Sequence, residues 1–239
     1  MISKMNRNPL HSKRMEIFRR AGLYLVTSQA LSRGRATEEI VRMALAGGVR
    51  LVQLREKEMP LPQLSRLALK IRRMTRRAGA LMIMNDRLDL ALAVGTDGVH
   101  LGQEDLPVDL ARKAAPDMII GASSHSLPEA LAAQKAGASY VNIGPLFPTK
   151  TKKWDKKYLG IRKMKQIASR IKIPFTVMGG IKEEHIPDLV RAGAKTIAVV
   201  TAVTADDDPK KAVQRILAQM RIQEQINHGD GGGTEKSLS

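Results

Sequence analysis

Cysteine is absent from this 239-residue chain, which excludes disulfides, thiolate metal sites and a cysteine nucleophile. Aromatic residues make up only 3% of it, too few for the exposed stacking platforms of a single-strand nucleic-acid binder. No apolar run approaches the roughly 18 residues of a membrane span. The basic start MISKMNRNPLHSKRMEIFRR has no apolar core behind it, unlike a secretory signal. A soluble cytoplasmic protein is expected. Acidic residues are scarce as well: 23 Asp and Glu face 40 Lys and Arg, a formal net charge of +17.

The positive excess is clustered. Residues 1–20 hold six Lys/Arg and one Glu, and residues 150–172 hold ten Lys/Arg and one Asp. The run from Arg66 to Arg77 has six basic residues and no acid, and reads as the solvated face of an amphipathic helix. Such clusters attract phosphate groups, whether on a metabolite or on nucleic acid.

What the chain does have is a regular alternation. GLYLVTS (22–28), RLVQLRE (50–56), LMIMN (81–85), GVHLG (98–102), IIGASSH (119–125), YVNIGP (140–145), PFTVMGG (174–180) and TIAVVTAV (196–203) are short apolar runs of the kind that form buried parallel strands. Amphipathic stretches such as LPQLSRLALKIRRMTRRAG and KEEHIPDLVRAG separate them, and several end in Gly as helices do. Eight strands alternating with helices predict a single-domain α/β fold, a (β/α)8 TIM barrel over residues 21–226. A basic extension, 1–20, precedes it. A Gly-rich polar tail, 227–239, is expected to be disordered.

In such a barrel the active site collects where strands end. The second strand ends in QLREK, placing Gln53, Arg55 and Lys57 at alternate positions on one face; a surface edge is the plain explanation, but the apolar Leu51, Val52 and Leu54 beside them favour a site. The third and fourth strands end in NDRLD and HLGQED, which brings Asp86 and Asp105 to neighbouring loops. Paired acids repel unless a proton or cation lies between them, and Mg²⁺ accepts a few carboxylates together with phosphate and water. For Asp86, capping the next helix is the competing role. The fifth strand offers Ser123, Ser124 and His125, with no acid adjoining His125 to suggest a triad. Gly179 and Gly180 after the seventh strand, and the turn after the eighth, suit the usual barrel phosphate site, although the glycines alone could be a tight turn.

Read in order, QLREK, NDRLDLA, GVHLGQEDLP, GASSH, GPLFPTKTK, MGGI and AVVTAV closely resemble the thiamine phosphate synthase family over about residues 22–220. The resemblance implies a transferase joining 4-amino-2-methyl-5-(diphosphooxymethyl)pyrimidine to a thiazole (carboxylate) phosphate. By matching position, Gln53, Arg55, Lys57 and Asn85, with Leu54 and Glu56 between them, would hold the pyrimidine diphosphate. Asp86 and Asp105 would bind Mg²⁺, and Ser123 and Lys152 would complete the diphosphate site. Thr149, Lys150 and Thr151, Gly180 and the Val200–Thr201 backbone would hold the thiazole phosphate. Arg55, Lys57, Ser123 and Lys152 are the implied catalytic group, and Lys153 to Lys157 are dispensable neighbours of Lys152.

His185 departs from the Asn common after GGI in the family, a change expected to affect a helix start more than catalysis. A sister branch resembling thiazole tautomerases would use His125 as acid and base, but tends to lack the metal-binding acid that this chain keeps. A nucleic-acid-binding barrel, motivated by the net charge of +17, is the alternative from another class.

Overall fold

The computed structural model describes residues 8–149 and 157–229. Lys150, Thr151, Lys152 and the residues up to Lys156 lie outside the described residues, as do 1–7 and the tail from 230. Eight parallel strands close in sequence order: β1 (Leu23–Val26), β2 (Leu51–Leu54), β3 (Leu81–Asn85), β4 (Gly98–Leu101), β5 (Ile119–Ser124), β6 (Tyr140–Ile143), β7 (Phe175–Val177) and β8 (Ile197–Val199), with β8 pairing back onto β1. The expected barrel is therefore the observed fold, and among the described residues no helix is long and apolar enough to cross a membrane.

Each strand is covered on both faces, which is why its sequence is nearly all apolar. Outward residues such as Leu25, Val52, Met82 and Val141 pack beneath the helices in one continuous core. Inward residues form a second cluster along the axis, including Tyr24, Leu51, Ile83, Ile119, Tyr140 and Ala198. Helix α1 (Pro9–Arg20) closes the floor of the barrel with Met15 and Phe18, whose ring lies 4.5 Å from that of Tyr140. One face of the basic extension thus packs against the barrel through Met15 and Phe18.

The outer layer comprises α2 (Thr37–Gly47), α3 (Leu61–Arg77), α4 (Leu88–Val94), α5 (Val108–Ala114), α6 (Leu127–Lys135), α7 (Gly160–Ala168), α8 (Ile186–Arg191), the short α9 (Thr201–Thr204) and α10 (Pro209–Gly229). Helix α10 continues past residue 226, where the tail was expected to begin. On α3, Leu64, Ala68, Ile71 and Thr75 recur at helical spacing and face the core. Arg72 lies on the same side and is 7% exposed, so the basic run is not wholly a solvated face. Its guanidinium donates to both oxygens of Asp97 at 2.5 and 3.0 Å, and Arg14 of α1 approaches the same carboxylate at 3.3 Å.

Candidate active site

The C-terminal ends of the strands carry the polar residues. Strand β2 stops at Leu54, so Gln53, Arg55 and Lys57 do not continue one regular face: Gln53 is buried inside the barrel, Arg55 lines the mouth, and Lys57 lies in the following turn. Lys57 nevertheless reaches across to β3, its ammonium 3.1 Å from Asp86. Leu54 and Glu56 point away from the axis. Leu54 joins the outer core, and the Glu56 carboxylate accepts from the Gln29 amide and the Thr37 hydroxyl at 2.8 and 2.6 Å. Glu56 thereby ties the loop after β1 to the loop that carries Arg55 and Lys57.

Asp86 has φ +60, a left-handed conformation that non-glycine residues adopt at some cost. Its amide donates to the His100 carbonyl at 2.8 Å, and the residue in the capping position of α4 is Arg87, so Asp86 does not cap that helix. The strained backbone instead turns its carboxylate toward Asp105. Asp105 accepts from the Gly102 amide at 2.6 Å and lies near enough to Asp86 for the two carboxyl groups to influence each other. Burial first, and the neighbouring Asp86 second, raise the Asp105 carboxyl above its ordinary value. Two neighbouring carboxyl groups need a proton or a cation between them. Among the described residues no third acid or His joins them to make a protein-only metal cage. A pair of this kind fits Mg²⁺, which takes one or two carboxylates and leaves its remaining positions to water and substrate phosphate.

Behind this acidic edge lies a buried polar chain. Gln53 Nε2 donates to the Tyr24 hydroxyl at 2.7 Å, Tyr24 and Tyr140 hydroxyls are 3.0 Å apart, and Tyr140 lies 2.9 Å from His100 Nδ1. His100 Nε2 is 3.0 Å from Ser123 Oγ at the mouth. Gly121 makes room for this chain, because a Cβ there would sit 2.2 Å from the Tyr140 ring. Burial pushes the His100 imidazole down to about 4, so it is neutral near pH 7, and raises both phenols above their ordinary value. Asn142 is buried nearby, its Oδ1 accepting from Thr176 Oγ1 at 2.7 Å.

A cavity of about 140 Å³, open to solvent, extends from Ser123 toward the loops after β7 and β8. Arg55, Ser123, His125, Asn142, Thr149, Gly180 and Thr201 are among its lining residues. Gly180, at φ +64, lies so close to the loop after β6 that a Cβ would fall 2.2 Å from the Pro148 carbonyl. The glycine therefore lets the two loops meet. His125 sits on the wall with Nδ1 bonded to the Gly144 carbonyl, and its amide donates to Glu129. His185 accepts from the Lys182 amide at 3.1 Å, and its ring stacks on Phe147 at 4.0 Å. It thus touches the loop after β6 as well as the start of α8.

A second concavity beside the acids is lined by Lys57, Asn85, Asp86 and Arg87. The structure thus gathers Arg55, Ser123, Thr149, Gly180, Val200 and Thr201 around one cavity and Lys57, Asn85 and Asp86 around a second, with Asp105 neighbouring Asp86. Tyr24, His100, Tyr140, Asn142 and Thr176 were not among the residues singled out from the sequence. A signal for them existed: each is a polar residue at an inward position of an otherwise apolar strand.

Comparison with known proteins agrees with this geometry. The thiamine monophosphate synthase family matches residues 23–203. A thiamine-phosphate synthase of Chloroflexus aurantiacus is 44% identical over 200 residues, covering 84% of this chain and 93% of that one. One from Pyrococcus horikoshii is 43% identical over 192 residues, covering 80% and 91%. The solved structure of a thiamine phosphate pyrophosphorylase from Pyrococcus furiosus superposes with a TM-score of 0.80 at 37% identity, over 86% of this chain and 98% of that one. A 3-hexulose-6-phosphate synthase, at 17% identity and a TM-score of 0.62, shares the fold alone. With a family match running from the first strand to the helix after the last, and relatives above 40% identity across most of the barrel, the chain belongs to the thiamine monophosphate synthase family.

Proposed function

We propose that the protein is a thiamine phosphate synthase that joins 4-amino-2-methyl-5-(diphosphooxymethyl)pyrimidine to a thiazole phosphate and releases pyrophosphate. The observation that carries the reading is the neighbouring Asp86 and Asp105 carboxyl groups, with Lys57 beside Asp86, at the same end of the barrel as a cavity with Arg55 and Ser123 on its wall. Asp86 and Asp105 would hold Mg²⁺, which when bound neutralises part of the diphosphate charge. Arg55, Lys57 and Lys152 supply further positive charge to the departing group, and Ser123 offers a hydroxyl hydrogen bond.

In the reaction the bond between the pyrimidine methylene carbon and the diphosphate oxygen breaks, and its electron pair leaves with the diphosphate. The amino-substituted ring spreads the resulting positive charge. The thiazole nitrogen then donates its lone pair to the methylene carbon to form the new C–N bond. This needs preorganised cations more than a protein nucleophile, in keeping with a site that has no triad. Gln53 and Asn85 would orient the pyrimidine. Thr149, Lys150, Thr151, Gly180 and the Val200–Thr201 backbone would hold the thiazole phosphate. With a thiazole carboxylate substrate, loss of carbon dioxide follows condensation.

The purified protein with Mg²⁺ and both substrates is expected to release pyrophosphate with thiamine phosphate. The Asp105→Ala variant should lose about 10²–10³-fold in rate, the scale of removing one major electrostatic element. Absence of pyrophosphate, or an unchanged rate in Asp105→Ala, would overturn the reading. Conversion of a thiazole tautomer without pyrophosphate would assign the site to His125 instead.

A further inference from the structure

The hydrogen-bond chain under the site has a direction. An amide nitrogen only donates, so Gln53 Nε2 gives its hydrogen to the Tyr24 oxygen. The Tyr24 hydroxyl has Tyr140 as its other partner, and the arrangement that gives every proton along the line an acceptor sends the Tyr24 proton there. In the same arrangement the Tyr140 proton goes to His100 Nδ1, 2.9 Å away. A neutral imidazole that accepts at Nδ1 carries its proton on Nε2, and this donates to Ser123 Oγ. With its oxygen accepting from His100, Ser123 has its own proton to give to whatever occupies the cavity it lines.

We infer that Tyr24, Tyr140 and His100 are positioning residues whose one-way hydrogen-bond chain holds Ser123 as a donor to the substrate and Gln53 Oε1 as an acceptor. All three are buried, so water cannot easily substitute for a missing link. The inference rests on the proposed synthase reading for the identity of that substrate. Its two ends match the chain: diphosphate oxygens accept a hydrogen bond from Ser123, and the ring amino group donates to Gln53 Oε1. An analogue with a ring carbonyl in place of the amino group presents an acceptor to Gln53. Binding it well requires the amide to turn over. Turning the amide reverses every link up to Ser123, which would then give its proton to His100 and meet the diphosphate with lone pairs alone. The chain thus makes selection at the ring and donation at the diphosphate one event.

Nitrogen-15 NMR of labelled protein without substrate tests the direction. The expected spectrum has His100 Nδ1 unprotonated and Nε2 protonated; the opposite tautomer overturns the inference whatever the enzyme's activity. Kinetics of Tyr140→Phe test the coupling. Its preference in kcat/KM for the amino pyrimidine over the carbonyl analogue should narrow by about tenfold, the effect of one unmade buried hydrogen bond. Equal losses on both pyrimidines would mean that Tyr140 only packs the barrel. Tyr24→Phe breaks the chain one link earlier and should narrow the preference likewise, which keeps the test available if Tyr140→Phe folds poorly. Failure of the wild-type protein to release pyrophosphate would instead count against the synthase reading, and the tautomer result would stand apart from it.

Discussion

Two clusters of charge sit at opposite ends of the same barrel, and their stoichiometry differs. At the floor, one carboxylate, Asp97, meets two guanidinium groups, Arg72 and Arg14, and also accepts from the Met82 amide at 2.9 Å. Arg14 donates its remaining reach to the Asp117 carbonyl at 3.2 Å. At the mouth, two carboxyl groups are neighbours, and one half-exposed lysine pairs with Asp86. The floor surrounds its one carboxylate with the protein's own cations and amide, leaving an excess of positive charge, whereas the mouth leaves negative charge that a bound cation would complete. A closed cluster buries its charges as structure, and an open one keeps them for a ligand.

The comparison breaks most visibly at the floor. Asp97→Ala would leave two cations without their partner and should cost about 3–5 kcal/mol in urea unfolding, with KM for both substrates unchanged. A weakly destabilised variant would mean the floor cluster is no more structural than the mouth. Lys57→Ala should do the reverse. Its rate is expected to fall by about 10²-fold, while its melting temperature barely moves, because a solvent-screened pair contributes little to folding. A large loss of thermal stability in that variant would place Lys57 with the structural group.

The smallest measurable effect on stability is expected at Asp105. Burial and Asp86 raise its folded pKa above the unfolded value of about 3.9. The folded state therefore holds the proton more tightly. Stability associated with that group is present below the unfolded value and is lost as pH rises through the folded one. Asp105→Asn removes this loss and should raise the melting temperature near pH 7 by roughly 1–2 °C, a small gain because solvent at the mouth screens the pair. Thermal melts across pH check it: the gain should vanish at pH 3, and a gain that persists there would point to packing instead of charge.

The barrel itself was legible because its strands are short, apolar and evenly spaced, a pattern set by burial on both faces. Asp86 and Asp105 were legible because strand ends can be read from the same pattern. The run QLREK misled in part. Alternation predicts three side chains on one face only while the strand lasts, and β2 ends at Leu54. Arg72 was hidden within a basic run because the sequence cannot tell which arginine of several turns inward without Asp97 waiting there. His100 and Tyr140 were unread for a related reason. Each looks like an isolated exception in an apolar strand until the closed barrel places them in contact.

The order of elements, the residue types at the strand ends and the excess of positive charge were determined by the amino-acid sequence alone, since each follows from local pattern and composition. Pairing across the barrel was decided only by the tertiary structure: Asp86 with Asp105, Arg72 with Asp97, and the chain from Gln53 to Ser123. Hydrogen bonds and carboxyl contacts act over a few ångströms, and closure of the barrel is what brings residues from different strands within that range.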